Sequence, residues 1–182
     1  MKVSQQEMLA THVRILDSAA RLVRSRGVQG TGVADVMKDA GLTHGGFYRH
    51  FDGKDALVAA AIRAAFDEFL ALLDEQPGPS AVAAFQRYKD TYLSSGHVQH
   101  PEAGCPIPAL GGEMARDGAA AQEAFQQGVA DVLARIAHAM QGPPAQRRET
   151  AMRELAMLVG AVTIARTVGP ELGGEILASC RK

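Results

Sequence analysis

The sequence predicts an all-α chain of about nine helices, and three observations carry that prediction. Between nearly every pair of Gly or Pro breaks, apolar residues recur at intervals of three and four, the spacing of one helix face. No segment alternates apolar and polar residues over any length, as a half-buried strand would. The composition, 47% hydrophobic with only 5% aromatic residues and no Trp, leans on Ala and Leu, which are strong helix formers.

The first helix is expected over 11–26, with Ile15, Leu16, Ala19, Leu22 and Val23 on one face and Gly27 placed to end it. A second, barely two turns long, follows over 33–40 and stops at Gly41. Thr43 is placed to cap a third short helix over 44–50. After the Asp52-Gly53 break a long helix runs over 54–75, inward-facing through Leu57, Ile62, Phe66, Phe69, Leu70 and Leu73, until Pro77-Gly78-Pro79 ends it. Ser80 caps a fifth helix reaching about residue 95, and 96–106 reads as the least regular stretch of the chain. A short helix over 107–116, two long ones over 119–141 and 145–168, and a last one over 171–181 complete the order. No internal repeat or low-complexity tract interrupts it.

Residues 1–57 are expected to form an N-terminal three-helix helix-turn-helix module, and 58–182 a larger C-terminal helical domain. The helix beginning at Lys54 crosses that boundary, so the two are expected to be joined rigidly. The formal charge of -1 conceals an asymmetry: residues 1–57 carry eight Lys and Arg against six Asp and Glu, and 58–182 carry eleven against fourteen. A mild basic bias on the first part is compatible with phosphate binding without demonstrating it. No stretch approaches the roughly 18 uninterrupted apolar residues of a membrane span, and the first residues lack the apolar core of a signal peptide. The expected location is the cytoplasm, where Cys105 and Cys180 stay reduced.

Two short helices joined by Gly41-Leu42-Thr43 are the arrangement in which one helix braces against a DNA backbone and the next enters the major groove. His44-Gly45-Gly46 is small enough to approach base edges. Tyr48 and His50 carry groups that donate to phosphate, and Lys54 adds a cation at a helix N-terminus. On spacing alone, a packed helical hairpin without a partner is an equal reading.

Read continuously, Gly27-Val28-Gln29-Gly30-Thr31, Val33-Ala34-Asp35-Val36, Ala40-Gly41-Leu42-Thr43, Gly46-Phe47-Tyr48-Arg49-His50-Phe51 and Lys54-Asp55-Ala56-Leu57 resemble the N-terminal signature of the tetracycline-repressor (TetR) family. The resemblance implies that Val36, Ala40, Phe47 and Phe51 pack the module. It implies that Thr43, His44, Gly45, Tyr48, His50 and Lys54 face double-stranded operator DNA and that Thr31 contacts its backbone. Gly32 stands where the family usually has Ser or Thr, and His44 where Lys or Arg is frequent. The C-terminal part resembles the family loosely, through Leu158-Val159-Gly160-Ala161, Ala165-Arg166 and Ile176-Leu177 in its last two helices. There the resemblance implies a homodimer interface, and Met152, Ala156, Val159, Gly160, Ala161 and Thr163 offer a face of small and apolar residues for it.

The implied function is a ligand- or redox-responsive transcriptional regulator, a repressor released by a small-molecule or electrophile effector, with no cofactor and no membrane partner. Effector contacts are expected from apolar side chains over 85–165. Some family members with a Gly-Cys-Pro run answer to electrophiles or oxidants, which makes Cys105 in Gly104-Cys105-Pro106 a sensor candidate. A thiol just before a helix has its pKa lowered by the dipole, although no Lys or Arg lies within ten residues of it. A small hydrophobe among apolar neighbours is the alternative. A small all-helical enzyme with Cys105 as nucleophile and His100 as base is the rival from another class, unsupported by any accompanying triad or phosphate loop. His97, His100, Glu102 and Cys105 fall close together but match no tight zinc spacing, so no metal is expected.

Overall fold

The computed structural model describes residues 4–75 and 80–181, so the Pro77-Gly78-Pro79 break lies outside the described residues. In these, nine α-helices and two 3₁₀ segments follow in the order α1 (Gln5–Arg26), α2 (Val33–Asp39), η1 (His44–Arg49), α3 (Lys54–Asp74), α4 (Ala81–Tyr92), α5 (Ser95–Gln99), η2 (Pro101–Ala103), α6 (Pro106–Met114), α7 (Ala119–Ala139), α8 (Pro144–Thr167) and α9 (Pro170–Cys180). Among the described residues there is no strand.

α1 begins six residues earlier than the apolar stripe alone suggests. Ser4 Oγ accepts the Glu7 backbone N–H at 3.1 Å while Glu7 Oε2 accepts that of Ser4 at 2.7 Å. This reciprocal capping box satisfies two orphan donors and stabilises a first turn that carries no buried side chain. The stretch over 96–106 is more regular than expected. Ser94 caps α5 by accepting the His97 N–H at 3.2 Å, and η2 follows at once with Pro101 in its first turn. Ser80 caps α4 as its position predicts, accepting from Ala83 at 3.2 Å.

α3 is the central element, packed on α1 on one side and α7 on the other, and it runs unbroken past residue 57. Ala61, Ile62, Ala65 and Phe66 are almost wholly buried along it. The Phe66 ring crosses α7 where Gly128 has no side chain: a Cβ there would come within 2.2 Å of the ring. One continuous apolar cluster therefore extends from Ile15 through Phe66 to Val132, Leu158 and Leu177, with no polar layer dividing it. α8 and α9 pack together at the far end through Leu158, Val162, Ala165 and Leu177.

Polar ties reinforce this packing. Arg24 is buried on α1, ion-paired to Glu68 of α3, and it donates to the carbonyls of Ala20 (3.2 Å) and Gly104 (3.4 Å). Arg166 of α8 donates to the carbonyls of His97 (2.9 Å) and Val98 (3.2 Å), holding α5 against the bundle. Among the described residues, no helix is long and apolar enough to cross a membrane.

Candidate nucleic-acid interface

The turn between α2 and η1 is set by backbone chemistry. Gly41 adopts φ +68°, a conformation that L side chains rarely take. Its N–H reaches the Lys38 carbonyl at 3.0 Å while that of Leu42 reaches Met37 at 2.8 Å. This pair of bonds closes the C-terminal end of α2 and sends the chain sharply back. α1 grips the same end: Arg14 donates to the Ala40 carbonyl, and Arg21 pairs with Asp39.

The residues expected from the sequence to pack the module, Val36, Ala40, Phe47 and Phe51, are all buried. Phe47 stacks on Phe51 with ring centroids 5.8 Å apart, and His12 of α1 stacks on the other aromatic partner, Phe51, at 4.8 Å. With its apolar side committed inward, the segment is left with Thr43, His44, Gly45, Tyr48 and Arg49 exposed. Tyr48 is 70% exposed, braced edge-on by Phe47 at 5.1 Å and by His44 at 6.4 Å. An aromatic ring this exposed on a rigid support offers its hydroxyl to a partner rather than to the core. Lys54, the first residue of α3, is exposed beside it in sequence order after the Asp52-Gly53 turn.

Four details depart from the sequence reading. The third helix is a 3₁₀ segment, in keeping with the poor α-helix propensity of Gly45-Gly46. Thr43 sits at its N-cap but accepts no side-chain hydrogen bond, so its hydroxyl stays available at the surface. Thr31 is a correction: it is only 4% exposed, and its hydroxyl donates to the Gly27 carbonyl at 2.7 Å. It braces the turn after α1, with its hydroxyl proton committed inside the protein rather than offered at the surface. His50 is half-buried, and burial first, then the neighbouring His12 and Arg49, hold its pKa below the ordinary histidine value. It is therefore uncharged at neutral pH and offers a ring N–H, not a cation.

Two residues of this surface were missed. Arg49 lies between Tyr48 and His50 and, with His12, lines the same surface hollow as His50. Arg49 was legible as a cation inside the segment. His12 was not, because only the packing of α1 on Phe51 brings it there.

In the C-terminal part, a cleft of 370 Å³ opens among α3, α4 and the α5–η2 segment, lined from Phe69 to Gly104. Its walls come from earlier in the chain than the expected 85–165, because α3 supplies one side. Cys105 lies beneath it, fully buried. The expected accessible thiolate is a correction: burial pushes the Cys105 thiol up to about 12, and the Arg166 and Arg24 charges and the hydrogen bonds around it only partly offset this. The rival catalytic pair is not assembled either, since His100 Nδ1 meets Glu102 Oε1 at 3.1 Å and His97 is engaged through both ring nitrogens. Among the described residues, no group of three or more His, Cys, Asp or Glu side chains is placed to hold a metal ion.

A short helix, a glycine-locked turn and an outward-facing second segment, carried on a helical bundle with its own cleft, define a helix-turn-helix DNA-binding transcriptional regulator. Residues 15–61 match the family model described as "Bacterial regulatory proteins, tetR family". That match covers the helix-turn-helix module, and the chain is similar over most of its length to an HTH-type transcriptional regulator. Over 170 residues it is 29% identical to an uncharacterized HTH-type transcriptional regulator of Mycobacterium tuberculosis, covering 84% of this chain and 82% of that one. Over 54 residues, 30% of this chain and 26% of the relative, it is 39% identical to the HTH-type transcriptional repressor KstR2 of Rhodococcus jostii. Among solved structures, a TetR-family transcriptional regulator from Cytophaga hutchinsonii superposes with a TM-score of 0.81 at 18% identity, over 100% of this chain and 95% of that one.

Proposed function

We propose that this chain is a homodimeric repressor that reads an operator through residues 1–57 and is released by a small-molecule effector held in residues 58–182. In this reading it acts in the cytoplasm as a regulator and not as an enzyme. The observation that carries it is the exposed row of Thr43, His44, Gly45 and Tyr48 on a segment whose other side is locked by Phe47. His50 and Lys54 extend that row, the first as a neutral donor and the second as a cation. Arg49 joins them as a further phosphate ligand.

Dimerisation is supported by an apolar stripe left outward on α8 and α9. Met152 (44% exposed), Ala156, Thr163 and Ile164 (47%) are exposed, Val159 and Gly160 are half-exposed, and Leu172 of α9 is 51% exposed. Ala161, in contrast, is buried within its own protomer. Two copies joined there would present two recognition segments to two half-sites.

Communication between the parts is supported by two polar ties. Arg24 of α1 reaches the Gly104 carbonyl in the cleft wall, and Glu113 of α6 accepts the backbone N–H of Val28 after α1. An effector that favours a different arrangement of these ties shifts the population away from the DNA-competent state. The buried, protonated Cys105 favours a non-covalent effector over an oxidant or electrophile. The test is fluorescence anisotropy with labelled DNA flanking the protein's own gene. Salt-sensitive, sequence-selective binding is expected, and affinity equal to that for unrelated DNA would overturn the reading.

A further inference from the structure

The cleft among α3, α4 and the α5–η2 segment has a chemistry of its own. Among the described residues no Lys, Arg, Asp or Glu lines it: the rings of Phe69, Tyr88, Tyr92 and His97 form its walls, with the polar Thr91 and Ser94 and, already paired with Glu102, His100. Its 370 Å³ falls near the lower end of the roughly 300–1,000 Å³ typical of small-molecule sites. The rings meet edge to face: Phe69 lies 6.0 Å from Tyr88 and 6.3 Å from Tyr92, and Tyr92 lies 4.4 Å from His97. Such a box presents ring edges and faces to a flat aromatic guest.

The second observation is independent of shape. Tyr88 and Tyr92 stand one helical turn apart on α4 with both hydroxyls buried, and that of Tyr88 has no hydrogen-bond partner among the described residues. The Tyr92 hydroxyl has only the Cys105 thiol beside it, a weak partner. Hydroxyls so poorly satisfied are costly to keep buried, and an oxygen that accepts from them recovers what burial has taken. Both rings line the cleft while their hydroxyl oxygens are closed to solvent, so the contact requires a ring to turn its hydroxyl toward the seated guest. His97 supplies no charge, because its ring is already committed to the Tyr92 carbonyl and the Cys105 N–H.

We propose that this cleft binds an uncharged, planar aromatic ligand carrying a hydrogen-bond acceptor, such as an aryl ketone, whose oxygen takes the hydroxyls of Tyr88 and Tyr92. This rests on the effector reading above and names the ligand class for it. An anion is disfavoured because no Lys or Arg among the described residues lines the site, and a pure hydrocarbon leaves the Tyr88 hydroxyl unpaired.

Equilibrium dialysis of the full-length protein against 2-acetonaphthone, 2-ethylnaphthalene and 2-naphthoate tests the assignment without DNA. The ketone is expected to bind about tenfold more tightly than the hydrocarbon, the worth of one neutral hydrogen bond, with the carboxylate weakest. The Tyr88→Phe/Tyr92→Phe double variant keeps both rings and loses only the two hydroxyls, so it is expected to fold and to bind ketone and hydrocarbon alike. Absence of ketone binding, equal binding of ketone and hydrocarbon by the wild type, tightest binding by the carboxylate, or a ketone preference surviving in the double variant would each overturn it. Ketone binding of the expected pattern with an unaltered operator complex would uphold the ligand class and overturn the effector role instead.

Discussion

Cys105 donates its backbone N–H to Nε2 of His97 at 3.0 Å. Because that nitrogen accepts, the ring proton is on Nδ1, which donates to the Tyr92 carbonyl at 2.7 Å. The imidazole is thereby fixed as one neutral tautomer that closes the turn between α4 and α6, and burial holds its pKa below the ordinary histidine value.

This arrangement predicts an acid-sensitive stability. The unfolded chain takes up the His97 proton near pH 6.5, the folded chain only at lower pH, so the unfolded state binds more protons in between. Stability is expected to be constant above about pH 6.5 and to fall as pH drops below it. His97→Gln should flatten that fall without abolishing it, since His50 is shifted in the same direction. Urea unfolding midpoints between pH 8 and pH 5 measure it, and identical slopes in both proteins would contradict the assignment.

Operator binding is expected to depend on Tyr48 and Lys54 through phosphate contacts. Tyr48→Phe with Lys54→Ala should weaken binding to every sequence by a similar factor and reduce the salt slope by about one. Changes at Thr43 or His44 should alter sequence preference as well. A double variant of wild-type affinity and intact helicity would remove these residues from the interface.

Glu113 clamps the turn that follows α1, accepting from Val28 at 2.9 Å and from Gln29 at 3.4 Å. The carboxylate fits only because Gly27, at φ +75°, has no side chain: a Cβ there would lie 2.1 Å from Oε1. Gly27→Ala is expected to cost about 1–3 kcal/mol through backbone strain alone, with the overlap adding to it. Glu113→Gln should be milder in thermal melting and should still alter how strongly a bound effector lowers operator affinity.

For assembly, Gly160 is the informative position, since a Cβ built there meets nothing within 4 Å in the protomer. Gly160→Glu is expected to leave the folded subunit intact and to place an unpaired charge in the contact between two α8 helices. Sedimentation should show a wild-type dimer and a variant monomer at micromolar concentration. A dimeric variant would move the interface elsewhere.

Mild peroxide is expected to act alike on wild type and Cys105→Ser, because a buried thiol with its pKa near 12 has almost no thiolate to react. Loss of operator binding in the wild type alone would restore the redox reading.

Local patterns settled the helical class and, to within a residue, the spans expected over 33–40, 44–50 and 54–75, because period, breaks and turn glycines act over a few neighbours. The early start of α1 was equally local, written in Ser4 and Glu7, and was passed over because an exposed first turn has no apolar stripe. Other features depended on chain segments meeting in space. Thr31 turns inward because its hydroxyl finds the Gly27 carbonyl, and His12 comes beside Arg49 and His50 because α1 packs on Phe51. Cys105 stands before a helix, where a dipole lowers a thiol pKa, yet the packing that brings Tyr92 of α4, Arg166 of α8 and Arg24 of α1 near it buries it fully and reverses the direction. Helix-end electrostatics are readable one residue at a time, whereas desolvation depends on everything that packs around the atom, and that is decided only by tertiary structure.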